Sequence, residues 1–169
     1  LAGALVVDSR LMKVRLCDAN LTSARLDGNR LDEADLSRAN LFEASLERVC
    51  LKRATLNRAN LYGVNLAESR LDNALLLETL LNEANLQRAN FNRARLDSAR
   101  LNGAVLVDAS LTGATLDSAF LFKANLTNAK LEEANLTEAH LEKAILCRAN
   151  LAGSKLAGAC LKKTNLEGA

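Results

Sequence analysis

Residues 34–61 read ADLSRANLFEASLERVCLKRATLNRANL, a stretch in which leucine returns at every fifth residue. The same phase runs through the whole chain of 169 residues, from Leu1 to Leu166, and 32 of its 34 positions are leucine. The exceptions are Val6 and Phe91. Three places after each position the residue is small, and it is alanine in 25 of 34 cases. This period of five limits the backbone conformations that the chain can adopt.

Neither regular secondary structure can have this period. An α-helix turns by about 100° per residue, so leucines five residues apart would be spread over its whole surface. A straight strand would place successive leucines on alternate faces, because five is an odd number. The chain must therefore turn once in each repeat. In the extended part of the repeat, the leucine and the small residue two places before it point inward, and the residue between them points outward.

The small residue has a physical cause, since a narrow coil has room for one large side chain on each side. Serine, threonine or valine occupies most of the inward positions that are not alanine. Asn29 is the exception, because it places a polar amide at an inward position. We expect Asn29 to bond to backbone groups or to lie near a frayed end of the coil.

Outward residues indicate how many sides form one coil. Asn20, Asn40 and Asn60 recur at a spacing of 20 residues, as do Phe42 and Tyr62. A four-sided coil brings such residues to the same side, whereas a three-sided coil would repeat at 15. We therefore expect four sides, each continued at intervals of 20 residues. Sides 1 to 4 are defined as those through Leu21, Leu26, Leu31 and Leu36.

Several repeats share a motif of alanine, then asparagine or aspartate, then leucine and two variable residues. Literal copies are Ala19-Asn20-Leu21, Ala34-Asp35-Leu36, Ala39-Asn40-Leu41, Ala84-Asn85-Leu86, Ala134-Asn135-Leu136 and Ala149-Asn150-Leu151. With this motif along its whole length, the chain resembles the pentapeptide-repeat protein family. The resemblance implies an all-β fold, a right-handed quadrilateral β-helix (solenoid) with one pentapeptide per side. Residues 1–169 would then form a single domain of about eight coils of four pentapeptides, about 40 Å long.

The two ends leave three interpretations open. Each end of such a coil exposes unpaired backbone and leucine core. The chain could be a piece of a longer protein, a rod that associates end to end with a second copy, or a protein whose caps lie outside this sequence. Family members often carry a capping helix or dimerise through one end, and the resemblance implies the same options here.

Composition excludes few classes of partner and indicates little about the compartment. The net charge is +2, with 22 basic and 20 acidic residues, so overall charge favours no partner class. No apolar run approaches the length of about 18 residues that a spanning helix needs, and we expect no transmembrane segment. The four cysteines are outward and too far apart to pair, which favours the reducing cytoplasm. A lumenal or other compartment stays open, because a leader could precede Leu1.

An enzymatic function is not expected. His140 is the only histidine, and its neighbours one coil away would be Phe120 and Cys160. Outward side chains on a rod diverge, and no concave pocket would exclude water around them. A single histidine also gives a metal site too few ligands. We therefore predict no catalytic residue, no cofactor and no metal.

The outward apolar residues are the candidate binding site. All outward aromatic residues fall on side 1, and aromatic side chains are enriched at binding hot spots. Three leucines also point outward around one corner beside them, where they have no core to fill. The alternatives are that the rings only stack to stabilise the coil and that Arg95 and Arg100 cover the leucines. The candidate partner-binding residues are Phe42, Tyr62, Leu75, Leu77, Leu80, Phe120 and Phe122.

Charged residues argue against two further functions. Side 3 carries eight basic and five interleaved acidic residues, whereas nucleic acid binding needs a continuous basic stripe. Some family members resemble duplex DNA and protect DNA gyrase, which requires strongly acidic faces. The most acidic side here, side 2, has a net charge of only −2. The leading hypothesis is therefore a non-enzymatic scaffold that binds an unidentified protein. The alternatives are a DNA-mimicking gyrase binder or an accessory factor of a larger complex, including a photosynthetic one.

Overall fold

The computed structural model describes residues 1–169 and contains neither a helix nor a strand longer than one bridge residue. Isolated parallel β-bridges join residues 20 apart at every fifth position, from Leu5–Arg25 to Ile145–Asn165. Each bridge residue directly precedes a position of the leucine phase. The register agrees with the predicted spacing of 20 residues and not with 15. The fold offers no helix with the length and apolarity needed to cross a membrane.

Each repeat turns through a tight corner directly after its leucine position. The amide of Ala94 donates to the carbonyl of Phe91 at 2.9 Å and closes a four-residue turn. Arg93, the third residue of this turn, has a φ of 57°, in the left-handed region. The equivalent residue of every repeat has a positive φ, and it is always Gly, Asp, Asn, Ser, Glu, Arg or Lys. No β-branched residue occurs there, because a branched Cβ tolerates this conformation poorly.

Hydrogen bonds between coils explain the asparagine of the motif. The amide of Leu61 donates to the carbonyl of Leu80 in one neighbouring coil, at 2.8 Å. The amide of Asn60 donates to Ala39 in the other neighbouring coil, at 2.9 Å. The amide of Tyr62 instead donates to the side-chain oxygen of Asn60, at 3.2 Å. Asparagine or aspartate before the leucine therefore satisfies the amide that the backbone ladder leaves free.

The core is a ladder of large and small side chains along the axis. From Leu21 to Leu146 every residue of the leucine phase, including Phe91, is at most 3% exposed. The alanines between them are buried as well, and with Val49 and Val64 these residues form one cluster of 49. One large and one small side chain thus fill each side of the coil, which confirms the predicted inward positions.

Asn29 is fully buried at its inward position. Its side-chain amide donates to the carbonyls of Val6 at 2.5 Å and Leu26 at 2.8 Å. Its side-chain oxygen accepts a bond from the amide of Ser9 at 2.6 Å. The expectation that Asn29 bonds to backbone groups is confirmed, because backbone partners compensate for its desolvation.

Candidate protein-binding surface

Side 1 carries two ring stacks, each formed by residues one coil apart. The rings of Phe42 and Tyr62 have centroids 5.5 Å apart and planes inclined by 10°. The ring of Phe120 and the imidazole of His140 are 4.8 Å apart and inclined by 3°. The spacing of 20 residues produces both stacks, because it places each ring directly above its partner. Such contacts stabilise the coil and also fix the orientation of the rings.

The aromatic residues form two clusters on side 1. Tyr62 is 41% exposed, and Phe120 and Phe122 are 37% and 38% exposed, whereas Phe42 is half-buried. Two polar residues, Asn82 and Asn102, occupy the intervening coils at the positions equivalent to Phe42, Tyr62 and Phe122. One cluster therefore contains Phe42 and Tyr62, and the other contains Phe120 and Phe122.

Phe122 lies at a corner where apolar and basic side chains meet. The Nζ atoms of Lys123 and Lys143 each lie 5.3 Å from the centroid of its ring. Around the corner, on side 2, Val105 and Ile145 are 38% and 37% exposed. Sequence reasoning missed Ile145 as a surface residue. Its position directly before a core leucine, 40 residues after Val105, was the available signal.

The three predicted corner leucines are half-buried. Arg95 and Arg100, which could have covered these leucines, have other partners. The guanidinium of Arg95 pairs with Asp97 at 3.1 Å, and that of Arg100 lies 5.9 Å from the centroid of the Phe120 ring. Leu77 lines a shallow cleft of about 260 Å³, whose other residues are Ser37, Arg38, Asn57, Arg58 and Glu78. Leu75, Leu77 and Leu80 thus expose less surface than Tyr62 or Phe122.

His140 lies between a carboxylate and an aromatic ring. Its Nδ1 atom lies 3.7 Å from a carboxylate oxygen of Glu142, and one face of its ring packs on Phe120. A hydrogen bond from the backbone amide of Glu142 to its carboxylate lowers the pKa of this residue, with smaller contributions from Cys160 and His140. No group of three histidine, cysteine or carboxylate side chains converges as a metal site requires. The largest cleft, about 610 Å³, lies several coils away and is lined by Val7, Asp8, Arg25, Asp27, Gly28, Glu47 and Arg48.

All four cysteines are free and half-buried. The thiol of Cys50 donates to a carboxylate oxygen of Asp32 at 2.8 Å. Burial, together with this carboxylate, raises the pKa of Cys50. The surroundings therefore keep the Cys50 thiol protonated and make it a weaker nucleophile than an ordinary cysteine.

Ion pairs join acidic and basic residues on sides 2 and 3. On side 2, Arg88 lies 3.6 Å from Glu68 and 3.9 Å from Asp108. On side 3 the pairs are Arg53–Glu33 at 2.6 Å, Arg30–Asp32 at 3.3 Å, Lys13–Glu33 at 3.6 Å and Arg70–Asp72 at 3.8 Å. Acids and bases thus alternate on both sides, and neither side is a continuous stripe of one sign.

Comparisons with solved structures identify similar repeat proteins. The chain is 32% identical to HetL, a pentapeptide repeat protein involved in heterocyst differentiation regulation in the cyanobacterium Nostoc sp. strain PCC 7120. This similarity covers 96% of this chain and 84% of HetL, with a TM-score of 0.41. A pentapeptide repeat protein from the thylakoid lumen of Arabidopsis thaliana is 27% identical over 66% of this chain and 68% of its own, with a TM-score of 0.37.

A third similar structure is full-length QnrB1, a plasmid-mediated fluoroquinolone resistance protein. It is 16% identical over 96% of this chain and 82% of its own, with a TM-score of 0.48. Comparison with curated proteins finds no match. The sequence profile for pentapeptide repeats matches in eight copies, over residues 19–58, 59–97, 89–128 and 129–168. Since these matches span nearly the whole chain, it belongs to the pentapeptide repeat family.

Proposed function

We propose that this chain is a non-enzymatic protein-binding module whose rigid coil presents the candidate residues of side 1 to a protein partner. One observation carries the proposal. Tyr62, Phe120 and Phe122 are each more than a third exposed on the same side, although the inward ladder already supplies the core. Aromatic side chains bury about 150–250 Å² each when they are covered, so these three offer much of the apolar area of a small interface.

Ordered rings also lower the entropic cost of binding. Phe42 supports Tyr62 by stacking, and His140 supports Phe120 in the same way. Backbone hydrogen bonds to the neighbouring coils hold each of these residues in place. A side chain that is already oriented loses less conformational entropy on binding than a freely rotating one. Stacking within the coil and recognition of a partner are therefore compatible functions of the same rings.

The corner leucines extend this surface toward side 4. Leu75, Leu77 and Leu80 are half-buried, so each still offers apolar area to a partner. Leu80 occupies side 1 one coil beyond Asn60, next to the stack of Phe42 and Tyr62. A partner that covers this stack could therefore also contact Leu80.

The scaffold itself is proposed to be a single domain over residues 1–169, a right-handed quadrilateral coil of about eight turns with four pentapeptides each. The bridge register of 20 residues and the corner in every fifth residue support this geometry. In such a solenoid each coil contacts only its neighbours, so surface residues can vary without disturbing the core.

The gyrase-binding alternative has weaker physical support. It requires a strongly acidic face, and the acids of side 2 are paired with arginines such as Arg88. A supercoiling assay with purified gyrase decides this alternative. We expect the same supercoiling rate with and without an excess of the protein, and inhibition or protection from a quinolone would favour the alternative. An accessory role in a larger complex is a version of the leading proposal, and the identity of the partner decides it.

Affinity capture tests the proposal. The wild-type protein and a Phe42→Ser/Tyr62→Ser/Phe122→Ser variant are immobilised and exposed to the same lysate, and bound proteins are quantified by mass spectrometry. The matched control is Lys52→Ser/Thr112→Ser/Ala152→Ser, which changes the equivalent positions on side 3. We expect at least one protein to bind the wild type and the control but not the aromatic variant. Identical sets of bound proteins for all three would overturn the assignment to side 1.

A further inference from the structure

A corner between sides 1 and 2 changes its charge along the axis. The residues at this corner are, in order, Gly3, Ser23, Glu43, Gly63, Glu83, Gly103, Lys123, Lys143 and Lys163. The three lysines lie in consecutive coils, with φ values of 57°, 59° and 60°. Neighbouring coils are about 4.8 Å apart, so the lysines form a short ladder of positive charge. We call Lys123, Lys143 and Lys163 the lysine corner.

None of the three lysines of the lysine corner forms an intramolecular ion pair. No carboxylate lies within ion-pair distance of the Nζ atom of any of the three lysines. Several basic residues at other corners are paired across coils, as in Arg38–Asp18 at 2.6 Å and Arg58–Glu78 at 3.0 Å. Like charges in adjacent strands destabilise a sheet unless acids relieve them. The lysine corner differs from the other corners because three consecutive coils carry a lysine there and no ion pair relieves their charge.

The lysines surround exposed apolar side chains. Phe122 has the Nζ atoms of Lys123 and Lys143 at 5.3 Å from its ring centroid, and Val105 and Ile145 flank it around the corner. Beside it lies a cleft of about 290 Å³, lined by Phe122, Glu142, Lys143, Lys162 and Lys163. Positive charge and aromatic surface are thus combined within about 5 Å at Phe122, with exposed aliphatic residues on the adjoining side.

From this geometry we infer that the lysine corner binds an acidic segment of the partner protein, with an apolar residue of that segment packed on Phe122. The inference rests on the proposed protein-binding function and names the chemistry of the partner at this corner. Carboxylates of the segment would pair with lysines that form no ion pair within the chain. The apolar surface of Phe122, Val105 and Ile145 would be covered at the same time, which gives a peptide more than a purely electrostatic contact.

The same geometry favours a peptide over nucleic acid. The ladder extends over only two coil spacings, about 10 Å, whereas nucleic acid binding needs a longer basic stripe. Glu142 lies within the cleft and would repel a phosphate backbone. A peptide can place its carboxylates beside the lysines and an uncharged residue opposite Glu142.

A selection from a random dodecapeptide phage library tests the inference without assuming a sequence. The library is panned against the wild-type protein, and enriched peptides are then synthesised and titrated by fluorescence anisotropy. The test variant is Lys123→Glu/Lys143→Glu/Lys163→Glu. It should fold, because Glu43 and Glu83 already occupy the same corner with φ values of 52° and 57°. The control, Lys52→Glu/Lys130→Glu/Lys155→Glu, has the same change in net charge at other positions.

We expect enriched peptides to combine aspartate or glutamate with an aromatic or aliphatic residue. Their affinity should fall about tenfold or more in the test variant and change less than about threefold in the control, since the test variant removes the two lysines that lie over the Phe122 ring. Enrichment without acidic residues, or equal losses in both variants, would overturn the inference. Tighter binding of a single-stranded oligonucleotide that depends on the lysine corner would also overturn it. Any of these three results would leave the proposed protein-binding function intact if protein capture still depends on side 1.

Discussion

The imidazole of His140 lies flat on the ring of Phe120, with a centroid separation of 4.8 Å and an interplanar angle of 3°. The two residues also form a parallel β-bridge, so the backbone fixes them in adjacent coils. The stack accounts for the only histidine of the chain as a structural residue. It also orients Phe120, one of the proposed contact residues, without a contribution from the core.

A double-mutant cycle should detect this stack. We predict a coupling free energy of about 0.5–1.5 kcal/mol between Phe120→Leu and His140→Leu, because stacked rings interact beyond the area that they bury. Urea unfolding of the wild type, both single variants and the double variant measures it. Phe120→Leu and Tyr62→Leu serve as the control pair, since distant sites are additive within a few tenths of a kcal/mol. Equal coupling in the two pairs would mean that the stack contributes nothing specific.

Three adjacent leucines should differ strongly in their effect on stability. Leu76 is fully buried, whereas Leu75 and Leu77 are outward and half-buried. We predict that Leu76→Ala lowers the free energy of unfolding by about 2–5 kcal/mol, because it leaves a cavity in the core. Leu75→Ala and Leu77→Ala should each lower it by about 1 kcal/mol or less. Similar losses for all three variants, measured by urea unfolding, would contradict the inward assignment.

Residue spacing is sufficient to predict the inward ladder. A period of five places the leucine phase and the small residue two places before it inward, and Leu76 belongs to the leucine phase whereas Leu75 does not. Geometry also predicts that the Asn29 side chain bonds to backbone groups, because a buried amide in a narrow coil has only these within reach. Both conclusions follow from the repeat spacing and the narrow coil that it implies, without knowledge of side-chain contacts.

The surface is less predictable, because exposure depends on neighbours in other coils. Tyr62 and Phe42 occupy equivalent positions, yet Tyr62 is 41% exposed and Phe42 is half-buried. The lysine corner was missed for a different reason. The net charge of a whole side does not reveal a run of like charges at the third residue of the turn, which projects from a corner between two sides. The sequence carries a signal for these corners, since β-branched residues are absent from every one of them.

The reactivity of Cys50 should depend on Asp32. Burial and the Asp32 carboxylate raise the pKa of this thiol, so its thiolate fraction at pH 8 is below that of an ordinary cysteine. Asp32→Asn removes the charge and should lower the pKa, while burial still holds it above the ordinary value. A lower pKa raises the thiolate fraction, and we predict a faster alkylation by iodoacetamide in Asp32→Asn than in the wild type.

Peptide mass mapping after timed labelling measures this rate. The profile of rate against pH for Cys50 should shift to lower pH in Asp32→Asn. Cys147, which lies several coils away, is the internal control and should be labelled equally fast in both proteins. An unchanged profile for Cys50 would show that Asp32 does not control its protonation.

The left-handed corner should reject a β-branched residue. Glu83 is exposed, has a φ of 57° and takes part in no ion pair, so its substitution tests the backbone conformation. We predict that Glu83→Val lowers the free energy of unfolding by about 1–2 kcal/mol, because a branched Cβ is crowded in this conformation. Glu83→Asn is the matched control and should be neutral, since asparagine tolerates positive φ and occurs at Asn73 and Asn128. Urea unfolding compares the two variants with the wild type. Equal unfolding midpoints for both would show that the corner is not selected by its backbone conformation, and the absence of β-branched residues there would then need another cause.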